Sequence, residues 1–258
     1  MRPDRTTHLP ESGVMREAII LAGGLGTRLR TVVSDVPKSL ATVAGRPFLN
    51  WQLEQLADQG FSHVVLAVGY MHDKVMATYG DTFAGMAIHY AVEETALGTG
   101  GAIWQAARLV KGDVFFTLNG DTYFDLPADE MEAALQDQET DMAMAVCHVA
   151  DCGRYGLVSI VDGRLAGFRE KAPGQPGAVN AGAYLFRRSL MDRWTLPERF
   201  SIETDFLQPH LSDLSVAAVP VRGDFIDIGI PEDYAYSQKR IPELKTLRQY
   251  RNTDAASE

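Results

Sequence analysis

The stretch Ala18-Ile19-Ile20-Leu21-Ala22-Gly23-Gly24-Leu25-Gly26-Thr27-Arg28-Leu29 decides the fold. An apolar run the length of a buried strand passes directly into three glycines, a threonine and an arginine. Such a turn aims backbone N–H groups at whatever lies above the carboxyl end of the strand. Gly23, Gly24 and Gly26 have no side chain to hold a phosphate away, and Arg28 adds a planar cation that matches a phosphate's oxygens. The same residues also suit a ligand-free β-turn-α connection, so the turn alone names no ligand. Two phosphate motifs are excluded. No Gly-x4-Gly-Lys-Ser/Thr run exists, and Leu29 stands where the dinucleotide fingerprint needs a third small residue.

Outward from this turn, apolar strand-like runs alternate with helix-like segments. Strands are expected at 17–22, 64–68, 87–91, 114–118 and 142–149, and helices at 47–59, 73–79, 101–109 and 127–136. The alternation predicts an α/β fold: a Rossmann-like mixed, mostly parallel sheet with helices on both faces. After residue 150 the rhythm shortens, with strands at 157–161 and 164–169 around Asp162-Gly163, then 183–186, 215–221 and 225–228. This half is expected to add a small antiparallel part. No repeat or linker divides the chain. A single domain is therefore expected over 15–245, in two halves of about 15–125 and about 126–245. Residues 1–14 read as a disordered lead-in and 246–258 as a flexible tail.

The 258 residues, 46% of them hydrophobic, suffice for one large core. A net charge of -10 argues against sequence-independent nucleic-acid binding. No apolar stretch approaches membrane-spanning length. Two cysteines, Cys147 and Cys152, make neither a disulfide framework nor a zinc site, which fits a reducing, cytoplasmic setting. Trp51 and Trp194 suit a core or a homo-oligomer interface equally.

Open α/β sheets bind ligands beyond the carboxyl ends of their strands. Asn119-Gly120-Asp121 follows one predicted strand, and Asp227 ends another. Either aspartate alone reads as a turn or strand-end charge. As a pair at the edge that carries the glycine turn, they suit Mg²⁺, which takes one or two carboxylates and fills its shell with water and phosphate. Lys38 follows Pro37 ten positions beyond Arg28, so both cations can face one polyphosphate. Lys171 offers a second point charge and Glu170 a hydroxyl acceptor, although the pair also suits a solvated hairpin edge. Leu97-Gly98-Thr99-Gly100-Gly101 opens a helix, either as a site for a flat base or as an ordinary start capped by Thr99. Asn180 precedes the small residues Ala181-Gly182, which suits hydroxyl recognition or a tight strand entry.

These motifs, taken in order with Phe225-Ile226-Asp227-Ile228-Gly229, resemble the sugar-phosphate nucleotidyltransferases over roughly residues 16–240. Leu97–Ala102, Arg154-Tyr155-Gly156 and Phe225–Tyr234 resemble the branch that uses GTP and a heptose 1-phosphate. The resemblance implies transfer of GMP from GTP to D-glycero-α-D-manno-heptose 1-phosphate, releasing pyrophosphate. It implies that Leu21, Ala22, Gly23, Gly24, Gly26, Thr27, Arg28, Gly98, Thr99, Asn119 and Asp121 bind the nucleotide. It implies that Gly156, Glu170, Lys171, Asn180 and Asp227 bind the sugar phosphate, that Asp121 and Asp227 hold Mg²⁺, and that Arg28, Lys38, Asp121 and Asp227 are catalytic. Gly100-Gly101 stand where uridylyl and thymidylyl members often carry glutamine, which favours a purine. Mannose 1-phosphate with GTP, or glucose 1-phosphate with UTP or dTTP, would use the same residue set. A molybdopterin guanylyltransferase also begins with such a strand, but the Glu-Lys and Asn-Ala-Gly elements favour a sugar. A non-catalytic sugar-nucleotide sensor would be expected to lose Arg28, Asp121 or Asp227, and all three are present.

Overall fold

The computed structural model describes residues 15–24, 29, 35–169 and 173–255. In chain order the first half runs β1 (Arg16–Leu21), β2 (Thr42–Val43), β3 (Arg46–Pro47), α1 (Phe48–Asp58), β4 (Phe61–Val68), α2 (His72–Tyr79), β5 (Thr82–Phe83), β6 (Met86–Val92), α3 (Gly98–Ala106), β7 (Val114–Asn119), β8 (Thr122–Tyr123) and α4 (Ala128–Gln136). The second half follows with β9 (Met142–Val149), β10 (Leu157–Val161), β11 (Arg164–Arg169), β12 (Gly177–Arg187), α5 (Gln208–His210), β13 (Val216–Pro220), β14 (Ile226–Asp227) and α6 (Pro231–Ala255).

Ten of these strands form one sheet in the order β10-β11-β13-β9-β12-β7-β1-β4-β6-β5. The β7-β1-β4-β6 stretch is parallel. Its side chains alternate between two cores, as the pleat requires. Ala18 and Ile20 of β1 with Val64 and Leu66 of β4 pack under α1, α2 and α4, joined by Leu49, Leu53, Val75 and Met131. Ile19 and Val65 point to the other face, against Ala102, Ile103 and Ala106 of α3 and the aromatic pair Phe200 and Phe206. Helices therefore cover both faces, as expected.

The expectation of a mostly parallel sheet with a small antiparallel part needs correction. Antiparallel pairings outnumber parallel ones six to four in the ten-stranded sheet. The second half builds no separate layer. Its long strand β12 inserts antiparallel between β7 and β9 and carries the sheet onward.

Helix α6 continues to Ala255, across most of the stretch expected to be a flexible tail. Ile241 of α6 is buried with Phe48, Trp51 and Tyr123, and Leu244 packs against that group. Lys245 bonds Glu54 of α1, and the nearly buried Arg248 reaches the Tyr123 hydroxyl at 3.4 Å. A polar composition concealed these anchors. Trp51 lies in this core beneath the Arg46 guanidinium, and Trp194 packs on Phe206 and His210, so both find partners within the chain.

Candidate active site

The carboxyl ends of the parallel strands meet at one edge. Leu21 of β1 is in register with Asn119 of β7, and Val68 of β4 with Val92 of β6. Beyond that edge lies a cavity of about 310 Å³. Leu21, Ala22, Gly23, Gly24, Lys38, Gly98, Thr99, Asn119 and Asp121 line it, all of them anticipated from the sequence. A larger cavity, about 520 Å³, opens beside Arg16 at the opposite end of β1 and contains none of the anticipated residues. Arg16 is already paired there with Glu132 and Asp129.

Backbone contacts hold the site edge. The Gly120 N–H donates to Leu21 O at 3.0 Å, joining the ends of β1 and β7 so closely that a Cβ on Gly120 would lie 2.5 Å from that oxygen. Helix α1 presents three glutamines at i, i+3 and i+7, on one face of the helix. Gln52 donates to Asn119 O and Thr122 O at 2.8 Å, Gln55 to Phe124 O at 2.9 Å and Gln59 to Leu126 O at 2.9 Å. The turn bearing Asp121 is therefore fixed from below by buried amides.

Asp227 reaches the same place from the second half. The ribbon of β8 and β14 pairs Asp227 with Thr122, and Ile228 N–H donates to Asp121 O at 3.0 Å. Lys38 arrives on a single 3-10 turn (Lys38–Leu40) after Pro37. Its ammonium lies 2.5 Å from Asp121 Oδ2 and 3.7 Å from Asp227 Oδ1. Asp227 Oδ1 also accepts the Gly229 N–H at 2.7 Å. Burial first, and the nearby Asp121 charge second, raise the Asp227 carboxyl above its ordinary range, despite Lys38. Two carboxylates crowded onto one ammonium fit a small hard cation, whose two positive charges answer both.

Three residues of this region went unnoticed as chemistry in the sequence. Glu93, just past β6, lines the 310 Å³ cavity. Its Oε2 accepts the Leu97 N–H at 3.0 Å, and its Oε1 lies where a Cβ on Gly23 would come within 2.8 Å. Burial raises its carboxyl, offset only by the Leu97 N–H. Arg154 stands between Asp233 and Asp227, 2.5 Å from the first and 3.6 Å from the second. Glu203, on a π-helical turn (Ile202–Leu207), accepts a bond from Asn180. A lone charge beside a strand or turn looks like solvated surface, so only the fold could single these out.

The glycines of the Gly98–Gly101 turn do more than leave room for a base. Gly100 N–H donates to Phe200 O at 3.0 Å, Phe200 N–H to Leu97 O at 3.0 Å, and Ile202 N–H to Thr99 Oγ1 at 3.0 Å. A Cβ on Gly100 would sit 2.1 Å from the Phe200 ring, and one on Gly101 2.3 Å from Glu198 O. Thr99 is not a helix cap, since α3 starts at Gly98 after Leu97 with no side-chain cap. The argument for a purine from Gly100-Gly101 loses its force, because the packing of residues 198–200 already requires both glycines.

Asn180 lies at a bulge of β12, where pairing with β9 is interrupted before Tyr184. Its amide donates to Tyr184 Oη and Glu203, and its oxygen accepts the Gly182 N–H at 2.9 Å. Gly182, with φ +77°, lets Asn119 approach where a Cβ would stand 2.2 Å from Nδ2. Gly156 is exposed at the entry to β10 with open space beside it. Gly26, Thr27, Arg28, Glu170 and Lys171 lie outside the described residues, as does the 1–14 lead-in.

The family profile described as nucleotidyl transferase matches residues 17–243. The chain belongs to that family. D-glycero-alpha-D-manno-heptose 1-phosphate guanylyltransferase of Campylobacter jejuni is 38% identical over 219 residues, covering 84% of this chain and 96% of that protein. The protein of the same name from Aneurinibacillus thermoaerophilus is 37% identical, covering 87% of this chain and 98% of its own length. The crystal structure of HddC from Yersinia pseudotuberculosis complexed with GMP-PN superposes with a TM-score of 0.77 at 33% identity, over 88% of this chain and 99% of that one. Family membership agrees with the convergence of Lys38, Asp121 and Asp227 beside the glycine-lined cavity.

Proposed function

We propose that this protein transfers GMP from GTP to D-glycero-α-D-manno-heptose 1-phosphate, giving GDP-heptose and pyrophosphate. Lys38, Asp121 and Asp227 meeting at the mouth of the nucleotide cavity carry this reading. An oxygen of the sugar 1-phosphate attacks the α-phosphorus of GTP, the bond to the β-phosphate oxygen breaks, and pyrophosphate leaves in line. This transfer requires positioning and charge neutralisation more than covalent help from the protein.

The Gly23-Gly24 backbone supports the triphosphate, with Arg28 as its expected fork. Lys38 lies close enough to the two aspartates to shift from them to a phosphate oxygen. Asp121 and Asp227 would hold the divalent cation, Mg²⁺ in this proposal, which neutralises charge growing on the reacting phosphates when bound. Glu170 and Lys171 are assigned to the sugar phosphate, with Asn180 and Gly156 beside the sugar. Glu93 favours guanine. Its half-buried carboxylate can accept from two adjacent donors, and only guanine among the common bases offers a ring N–H beside an amino group on its pairing edge.

The identity to two heptose 1-phosphate guanylyltransferases supports the sugar over mannose, since the Mycobacterium tuberculosis mannose-1-phosphate guanylyltransferase is 31% identical and this chain spans 62% of it. The cytoplasm is the expected compartment. Among the described residues no helix is long and apolar enough to cross a membrane. The test is pyrophosphate release with Mg²⁺ across GTP, ATP, UTP, CTP and dTTP, each against the heptose, mannose and glucose 1-phosphates. Release confined to GTP with the heptose phosphate is expected. Release with another pair discards the substrate assignment, and none with any pair discards catalysis.

A further inference from the structure

Asp121, Lys38, Asp227, Arg154 and Asp233 form a row of alternating charge across the active-site edge. Its fourth member has no part in the proposed reaction. Arg154 Nη1 is 2.5 Å from Asp233 Oδ2, at the start of α6. Its Nη2 is 3.6 Å from Asp227 Oδ2, too far for a hydrogen bond. Nε and Nη2 are both buried and have no hydrogen-bond partner among the described residues. The guanidinium rests near the Tyr155 ring, 5.2 Å from its centroid. A cation with two unspent buried donors is expensive unless a partner takes them up in some state of the protein.

The oxygens of Asp227 are divided. Oδ1 accepts Gly229 N–H and faces Lys38, whereas Oδ2 faces Arg154. The carboxylate is therefore oriented with Oδ1 toward the place shared with Asp121 and Oδ2 facing Arg154 at 3.6 Å. We infer that Arg154 is a positioning residue that turns Oδ1 of Asp227 toward the cation place, with Asp233 as its anchor. This rests on the proposed assignment of Asp121 and Asp227 to a divalent cation. A planar fork is required because one guanidinium must address two carboxylates at once, and an ammonium cannot hold both in a fixed plane.

The experiment is Mn²⁺ titration of the whole protein, with free Mn²⁺ read by electron paramagnetic resonance, for wild type, Arg154→Gln, Arg154→Lys and Asp233→Asn. Thermal midpoints are measured on the same samples. Loss of a residue that orients a metal ligand costs about 10- to 100-fold in metal affinity. Arg154→Gln and Arg154→Lys are expected to raise the half-saturating Mn²⁺ by about tenfold or more, and Asp233→Asn to raise it less. Arg154→Lys keeps the charge and so covers the case in which Arg154→Gln fails to fold. Unchanged Mn²⁺ half-saturation in the folded variants, with or without a lower thermal midpoint, overturns the positioning role and leaves the cation assignment standing. If wild type itself binds no Mn²⁺, both the cation assignment and the role of Arg154 fall.

Discussion

Lys38 bridges Asp121, at 2.5 Å, and Asp227, at 3.7 Å, from the place between the two carboxylates. An ammonium and a divalent cation cannot both occupy it. In the proposed mechanism the lysine neutralises the paired aspartates before substrates arrive and would turn to phosphate once a divalent cation was held there.

Replacing this lysine separates the two roles. Lys38→Ala should bind Mn²⁺ more tightly than wild type without substrates, because the competing ammonium is gone. Turnover should fall by about 100-fold or more, the cost of losing a charge aimed at the reacting phosphates. Metal titration and steady-state pyrophosphate release on one preparation check both halves. Weaker Mn²⁺ binding would show that Lys38 supports the aspartates rather than competing for them.

Asp227→Asn tests the electrostatics of the paired aspartates. The Asp227 carboxyl is raised by burial and by Asp121, so the folded protein binds its proton more tightly than the unfolded chain does. Stability from that proton is present in acid and lost as pH rises through the raised value. At neutral pH the ionised group is therefore a net cost. Asp227→Asn is expected to unfold at a higher temperature than wild type at pH 7, with turnover down by about 100-fold. The stability gap should close as pH falls below the ordinary 3.8 of an aspartate. A gap that widens in acid would reverse the sign of this argument. Asp121→Asn is expected to show the same turnover loss.

Glu93→Gln should blunt the choice of base. In the proposed reading the carboxylate accepts from guanine's ring N–H and its amino group, and a glutamine can serve only one of these donors without presenting its own N–H₂ to the other. Charged hydrogen bonds contribute about 1.5–3 kcal/mol, so kcat/KM for GTP should drop by about 10- to 100-fold. ITP lacks the amino group and should lose less. The ratio of GTP to ITP kcat/KM is the measurement, and an unchanged ratio removes Glu93 from base recognition.

The parallel strands and their helices were legible in the sequence because each is a local pattern. The run before Gly23 and the Leu53 and Leu56 spacing of α1 need no distant partner to be read. The insertion of β12 between β7 and β9 was not legible, since strand neighbours depend on pairing across the chain. Lys38, Asp121 and Asp227 could be assigned to the sheet edge from the sequence because each abuts a turn or strand end. Glu93 carries no such local mark, Arg154 stood out only within Arg154-Tyr155-Gly156, and their contacts with Leu97 and Asp233 form only once β6 and α6 are in place. The glutamines of α1 did leave a trace. Gln52, Gln55 and Gln59 recur at helical spacing on a buried face, where unpaired amides would be costly, and so they announce backbone partners.

Gly100 provides the test of the packing that brings residues 198–203 against the Gly98–Gly101 turn. A Cβ there meets the Phe200 ring at 2.1 Å, and that ring is buried edge-on to Trp104, with centroids 5.2 Å apart. It cannot swing into solvent without uncovering this core. Gly100→Ala is expected to cost about 1–3 kcal/mol in urea unfolding, the usual range for overpacking. Phe200→Leu in the same chain should recover part of that loss by making space. If the glycines served the base alone, Gly100→Ala would weaken GTP binding at unchanged stability, and Phe200→Leu would restore nothing.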